Sequence, residues 1–142
     1  MSEILVLSLF MINMKKLYLV SLLLLLASCQ FSYKKSVSGA GEIKSVAVEE
    51  FAKEISCSDV QLVDVRTPEE FAQGNIQGSV NIDVNSGHFG AEADSLLDKQ
   101  HKVAVYCRSG RRSKKAAEVL SMMGFDVVEL DKGYNGWVES GR

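Results

Sequence analysis

Residues 43–142 alternate short β-branched runs with segments of helical rhythm. Positions 45–48 read as a short strand and 49–55 as a helix with Phe51 and Ile55 on one face. Positions 60–65 form a second strand, and Thr67-Pro68-Glu69-Glu70 starts a helix that ends at Gly74. Thr67 is its cap, Pro68 takes the first helical position, and the two acids fall in the first turn. Strands follow at 79–82, 102–107 and 125–130, with helices at 92–98, at 111–123 (closed by Gly124) and at 134–139. Strands separated by helices predict an α/β fold of three layers, a central, mainly parallel five-stranded sheet with helices on both faces. Ligands of such sheets bind beyond the carboxyl ends of the strands.

Upstream of residue 43 the rhythm is different. Met14-Lys15-Lys16, an apolar run over 17–26 and Ala27-Ser28-Cys29 have the charged, apolar and small-residue regions of an export signal. The apolar part is too short for an ordinary spanning helix. Leu26-Ala27-Ser28-Cys29 resembles the lipobox of bacterial lipoproteins, which implies that Cys29 is lipidated and becomes the new N-terminus. A plain signal peptide that carries a cysteine is the alternative. The second apolar stretch, 4–12, is not needed by such a leader; a true start at Met14 or Met11 would account for it. One long anchor would place Lys15 and Lys16 at its centre, which is costly in lipid. Residues 30–42 are rich in Ser, Lys, Gly and Ala, as a flexible tether is. The expected organisation is a leader over 1–29, a tether over 30–42 and one domain over 43–142. The expected location is extracytoplasmic, on a membrane anchor and facing the periplasm or an equivalent space.

Composition adds limits. The chain has 142 residues and a net charge of −2; the leader holds Glu3, Lys15 and Lys16, so the remainder carries −3. Nothing in that balance attracts a nucleic acid. Close to 100 residues is enough for one compact domain and too few for two. No repeat is visible, and a monomer is expected.

The densest chemistry lies at 103–113, where Val103-Ala104-Val105-Tyr106 delivers Cys107 to a helix start across Arg108-Ser109-Gly110-Arg111-Arg112-Ser113. Unpaired amides of a first helical turn and the helix dipole lower a thiol's pKa, and the arginines add positive charge. Such a loop packs poorly and cradles an anion well. Cys107 is therefore the candidate nucleophile, and Arg108, Ser109, Gly110, Arg111 and Arg112 the candidate binding loop.

The segments Val63-Asp64-Val65-Arg66-Thr67-Pro68-Glu69-Glu70-Phe71, Gly74-Asn75-Ile76-Gln77-Gly78-Ser79-Val80-Asn81-Ile82, the Cys107 loop and Gly133-Tyr134-Asn135-Gly136-Trp137 resemble, in order, the signatures of a single rhodanese domain. Asn75 and Ser79 depart from that pattern, where many relatives have His and Ala. The resemblance implies a thiosulfate sulfurtransferase. The Cys107 thiolate would take the outer sulfur of a thiosulfate-like donor as a persulfide and pass it to cyanide, a thiol or a protein thiol. Thiolate attack on sulfane sulfur is ordinary thiol exchange, favoured by a lowered pKa and a stabilised leaving group. Loop amides would hold the persulfide charge, and the arginines would bind the dianionic donor and release sulfite. Arg108, directly after the nucleophile, resembles the thiosulfate-using members.

Three other readings compete. A cysteine phosphatase or arsenate reductase needs five residues between Cys and Arg, whereas four separate Cys107 from Arg112. A persulfide carrier that serves a specific partner would keep the same loop. Disulfide redox chemistry would need Cys57, which lies at the amino edge of the sheet; a strand of ~6 residues at ~3.3 Å each places it roughly 20 Å from Cys107, beyond disulfide reach.

Asp64 and Arg66 end a strand on the active-site edge and are expected to brace the loop or to pair with Glu69 or Glu70. His88 sits in a Gly-rich loop, His101 at the opposite edge, and Tyr134 with Trp137 reads as a core anchor of the last helix. No His/Cys cluster has metal spacing, so neither a metal nor a cofactor is expected.

Overall fold

The computed structural model describes residues 39–142; the leader, Cys29 and most of the tether lie outside the described residues. Five strands, β1 (Ile43–Val46), β2 (Val60–Asp64), β3 (Val80–Asn81), β4 (Lys102–Tyr106) and β5 (Val127–Leu130), form one sheet in the order β1-β5-β4-β2-β3. Every neighbouring pair is parallel, so the antiparallel member that "mainly parallel" allowed is absent from the described sheet. The intervening helices are α1 (Val48–Ile55), α2 (Pro68–Ala72), α3 (Phe89–Leu96), α4 (Arg111–Met122) and α5 (Gly133–Glu139).

Each face of the sheet is covered. On one, Val63, Val65, Val103, Val105 and Val127 pack with Phe89 and Ala93 of α3 and Ala116, Ala117 and Leu120 of α4. On the other, Leu62, Ala104, Tyr106, Val128 and Leu130 pack with Phe51 of α1 and Tyr134 and Trp137 of α5. Trp137 meets Phe51 edge to face, and Tyr134 stacks on Tyr106, so both aromatic residues anchor α5 to the core.

Element ends differ from the sequence expectation for local reasons. The first strand begins two residues earlier, at Ile43, because Ile43 pairs with Val127 of β5, and it ends at Val46 because Val48 opens α1 as its first buried residue. The third helix starts at Phe89 rather than 92, since Phe89 and Ala93, one helical turn apart, supply its buried stripe. Phe125 does not open β5. Helix α4 ends in a left-handed Gly124 (φ +90°), and the Phe125 and Gly124 amides close back on Leu120 and Ser121 carbonyls in a Schellman motif.

The chain crosses from β1 to β2 and β3 on one side of the sheet, then returns to β4 and β5 on the other. Connections leaving β2 and β4 thus run in opposite directions, which opens a crevice between their carboxyl ends. Cys107 follows β4 at that crevice. Cys57 precedes β2 at the far end of the β2–β4 ladder, whose register runs from Val60–Lys102 to Asp64–Tyr106. No described helix is long and apolar enough to cross a membrane.

Candidate active site

Cys107 leaves β4 pointing into the α3/α4 layer and is only 1% exposed. The next residues turn tightly into α4 through Gly110, at φ +88°. No other residue fits there: a Cβ on Gly110 would lie 1.9 Å from the Asp131 carbonyl oxygen. The loop's outer side is held by α5. The Tyr134 amide donates to the Cys107 carbonyl at 2.7 Å, and the Asn135 amide to the Arg108 carbonyl at 3.0 Å. With these carbonyls turned outward, the loop can present N–H groups to the sulfur.

The thiol's acidity follows from that arrangement. Burial pushes Cys107 up, but the Ser113 hydroxyl and the amides of Ser113, Ser109 and Arg112 outweigh it, leaving the thiol below its ordinary value. The principal effects are thus backbone and hydroxyl hydrogen bonds rather than arginine charge. Arg112 adds its charge at longer range, since Cys107 also acts on its guanidinium. Its guanidinium grips Glu70 with two bonds, Nη1 to Oε2 at 2.6 Å and Nη2 to Oε1 at 2.7 Å. Glu70 also completes the capping box of α2 with Thr67, so one carboxylate ties the β2 side of the crevice to the β4 side. The bond to Arg112 holds its carboxyl far down, at about 2.

Arg108 and Arg111 are exposed, and among the described residues neither forms an ion pair. They are the loop cations open to an incoming anion. Lys114, one turn into α4, is bound to Asp131 at 2.6 Å.

Asp64 and Arg66 pair with one another, not with Glu69 or Glu70. Arg66 Nη2 donates to Asp64 Oδ2 at 2.6 Å and to the Gly74 carbonyl at 2.6 Å, and its guanidinium lies 4.3 Å from the centre of the Tyr134 ring. The pair is buried, and both charges are compensated in place. Tyr134 of α5 carries both the ring against Arg66 and the amide that donates to the Cys107 carbonyl, so it is in contact with the pair and with the loop.

Two residues at the site were not singled out from sequence. Ser113 Oγ lies 3.4 Å from Cys107 Sγ and 2.6 Å from Glu129 Oε1, and Glu129 is fully buried on β5. A signal for Glu129 existed: a carboxylate in the middle of a strand covered on both faces has nowhere to go but inside. His88 is exposed at the start of α3, and His101 is exposed before β4. Among the described residues no group of three or more His, Cys, Asp or Glu is placed to hold a metal ion.

A doubly covered parallel sheet with a buried thiol in an amide-lined loop at its switch point is the architecture of a rhodanese-like domain. Residues 47–140 match the family model of the rhodanese-like domain, and the chain belongs to that family. The thiosulfate sulfurtransferase PspE of Escherichia coli is 42% identical over 67 residues, 47% of this chain and 64% of PspE. The thiosulfate sulfurtransferase GlpE of Shewanella oneidensis is 34% identical over 99 residues, 68% of this chain and 94% of GlpE. A solved rhodanese-related protein from Thermoplasma volcanium superposes with a TM-score of 0.61 at 32% identity, covering 69% of this chain and 93% of its own.

Proposed function

We propose that this domain transfers sulfane sulfur from thiosulfate, or a donor of the same chemistry, through a persulfide on Cys107. The observation that carries the reading is the buried Cys107 thiol, held below its ordinary pKa by the amides of Ser109, Arg112 and Ser113 and by the Ser113 hydroxyl. In the first half-reaction the thiolate attacks the outer sulfur of thiosulfate. A Cys107 S–S bond forms, the donor's S–S bond breaks, and its electron pair leaves with sulfite. The negative charge on the new terminal sulfur falls where the loop amides point. In the second, cyanide or a thiolate takes the terminal sulfur and returns the Cys107 thiolate.

Arg108 and Arg111 gather the dianionic donor and ease the departure of sulfite. Arg112, being neutralised by Glu70, shapes the loop instead of meeting the donor. The four residues between Cys107 and Arg112 weigh against phosphoryl transfer, whose loop needs five to hold a tetrahedral phosphate.

The purified domain should turn thiosulfate and cyanide into thiocyanate. Intact mass should show one added sulfur on Cys107 after thiosulfate, lost again on cyanide. Cys107→Ser should abolish both while leaving the far-ultraviolet circular dichroism unchanged; a variant that still transfers sulfur would refute the assignment. We further propose that the chain is exported and held on a lipid at Cys29, a reading supported by the leader and tether composition. In an oxidising compartment the persulfide would be its resting form, since an unprotected thiolate is prone to over-oxidation. N-terminal analysis of the protein made in a bacterial host would show acyl chains on Cys29; an unprocessed N-terminus would overturn that placement.

A further inference from the structure

The chemistry above leaves one buried charge unused. Glu129 projects from β5 into the layer beneath α4 with no exposed surface, and among the described residues it forms no ion pair. Its two oxygens are held by serine hydroxyls: Oε1 accepts from Ser113 at 2.6 Å and Oε2 from Ser45 of β1 at 2.6 Å. A buried carboxylate with no direct ion-pair partner is costly, and here only hydroxyls bond it.

Ser113 is the link. Its oxygen is 2.6 Å from Glu129 Oε1, 3.0 Å from the Gly110 carbonyl and 3.4 Å from Cys107 Sγ, yet it has one proton. When that proton points at Glu129, Sγ faces a lone pair and is suited to be a thiol. When it points at Sγ, the short contact to Glu129 needs a donor on the carboxyl side, which is the carboxylic acid. The two arrangements therefore place one proton either on the sulfur or on the carboxyl.

We propose that Glu129 accepts the Cys107 proton through the Ser113 hydroxyl. The S–H bond breaks as its proton passes to Ser113 Oγ, and the hydroxyl's own proton passes to Glu129 Oε1. Cys107 becomes a thiolate, Glu129 a carboxylic acid and Ser113 remains a hydroxyl, so the group keeps a single negative charge throughout. The charge moves from a position with two hydroxyl donors to one lined by amides. Neither half-reaction of sulfur transfer takes up or releases a proton, so Glu129 holds it across the cycle. Glu129 does not touch sulfur and is a positioning residue. The other ionisable neighbours have direct partners elsewhere: Lys114 of α4, whose charge also acts on Glu129 and Cys107, bonds Asp131 after β5, and Arg112 of α4 bonds Glu70 of α2, while β1 presents the Ser45 hydroxyl to Glu129.

The proposal rests on Cys107 being the reactive thiol and not on the identity of the donor. It is tested by the rate of Cys107 alkylation by iodoacetamide as a function of pH, read by mass spectrometry on the Cys107 peptide. Two groups that share a proton titrate in two macroscopic steps. The native protein should show two steps with a plateau between them. Glu129→Gln, neutral and of the same shape, should show one step, and so should Ser113→Ala, while Ser113→Thr should restore two. A carboxylate that served packing alone would move a single step without changing their number. One step in the native protein, or two steps surviving in Glu129→Gln, would overturn the relay. Should Glu129→Gln fail to fold, Ser113→Ala, which removes one oxygen, decides alone: two steps there overturn it. Absent sulfur transfer with the two-step titration intact would instead refute the proposed function and leave the relay standing.

Discussion

Replacing Gly133 by alanine tests whether α5 sets the acidity of a thiol that it never touches. Gly133 sits at φ +56°, and a Cβ there would lie 2.4 Å from the Cys107 carbonyl oxygen, 2.7 Å from Arg108 C and 2.7 Å from Ser109 N. All three are backbone atoms, so no side-chain rotation relieves the contact. Ordinary van der Waals separation requires either the loop or α5 to move by about 1 Å. Gly78→Ala is the control, because Gly78 has φ +86° and nothing within 4 Å of a new Cβ. The control should lose about 1–2 kcal/mol, the cost of left-handed alanine alone. Gly133→Ala should lose about 3–4 kcal/mol, since the clash adds to that strain. Displacement also loosens the amides on Sγ. Losing one such hydrogen bond, at about 1.4 kcal/mol, raises the thiol by about one pKa unit. Turnover should fall roughly 10- to 100-fold, as expected for misplacement on this scale. Urea unfolding of both variants and the pH dependence of Cys107 alkylation read these effects. Equal unfolding midpoints for the two variants, with an unchanged Cys107 titration, would refute the clamp.

Other outcomes follow from single contacts. Because the Glu70 carboxyl is held at about 2 against a usual 4.5, its pair with Arg112 stabilises fully above pH 4.5 and loses that contribution as pH falls through about 2. In Glu70→Gln that part of the acid dependence should vanish, at a cost near neutral pH of about 1–2 kcal/mol for a pair only partly screened from water. Urea midpoints that still converge between native and variant below pH 4.5 would fit; parallel curves would not. The Arg108→Ala/Arg111→Ala double variant should raise the KM for thiosulfate several-fold and weaken its dependence on salt, while leaving the Cys107 alkylation profile in place. A displaced profile would show that these cations act on the thiol itself. Tyr106→Phe should cost about 1–3 kcal/mol in chemical unfolding with little change in turnover, since it strands the buried Ile76 amide that donates to the phenol oxygen at 2.9 Å.

The order and type of every element from residue 43 onward could be read from the chain, because each signal is local. Thr67-Pro68 marks a helix start by capping chemistry, Gly124 marks a helix end by its left-handed backbone, and strand runs bounded by helices force parallel pairing. Boundaries were less legible where a tertiary contact chose them. Phe89 begins α3 because the α3/α4 layer buries it, and no propensity in the Gly-rich 86–90 segment says so. The position of Cys107 at a strand's end was legible for the same local reason. What surrounds it was not, since Glu70, Glu129 and Tyr134 reach the loop from 37 residues before it and from 22 and 27 after it.

Those distant residues change how the loop's charges are understood. Along the sequence, three arginines around a cysteine add cationic attraction to the amides and dipole of the helix start. In the fold, Arg112 is paired with Glu70 and keeps a longer-range attraction to Cys107, while the other two face solvent, where screening leaves little interaction with a residue that is 1% exposed. Dipoles act differently, because the amides of Ser109, Arg112 and Ser113 are held in direct contact with the sulfur by a backbone that α5 and Gly110 lock. The two kinds of charge thus divide the work. In the proposed reaction the arginines act at long range on a mobile dianion, where salt weakens them, and the amides act at short range on a fixed sulfur, where salt does not reach. A loop built this way can hold sulfur in the same poise whatever the ionic strength outside, and lets only the rate of donor capture vary with it.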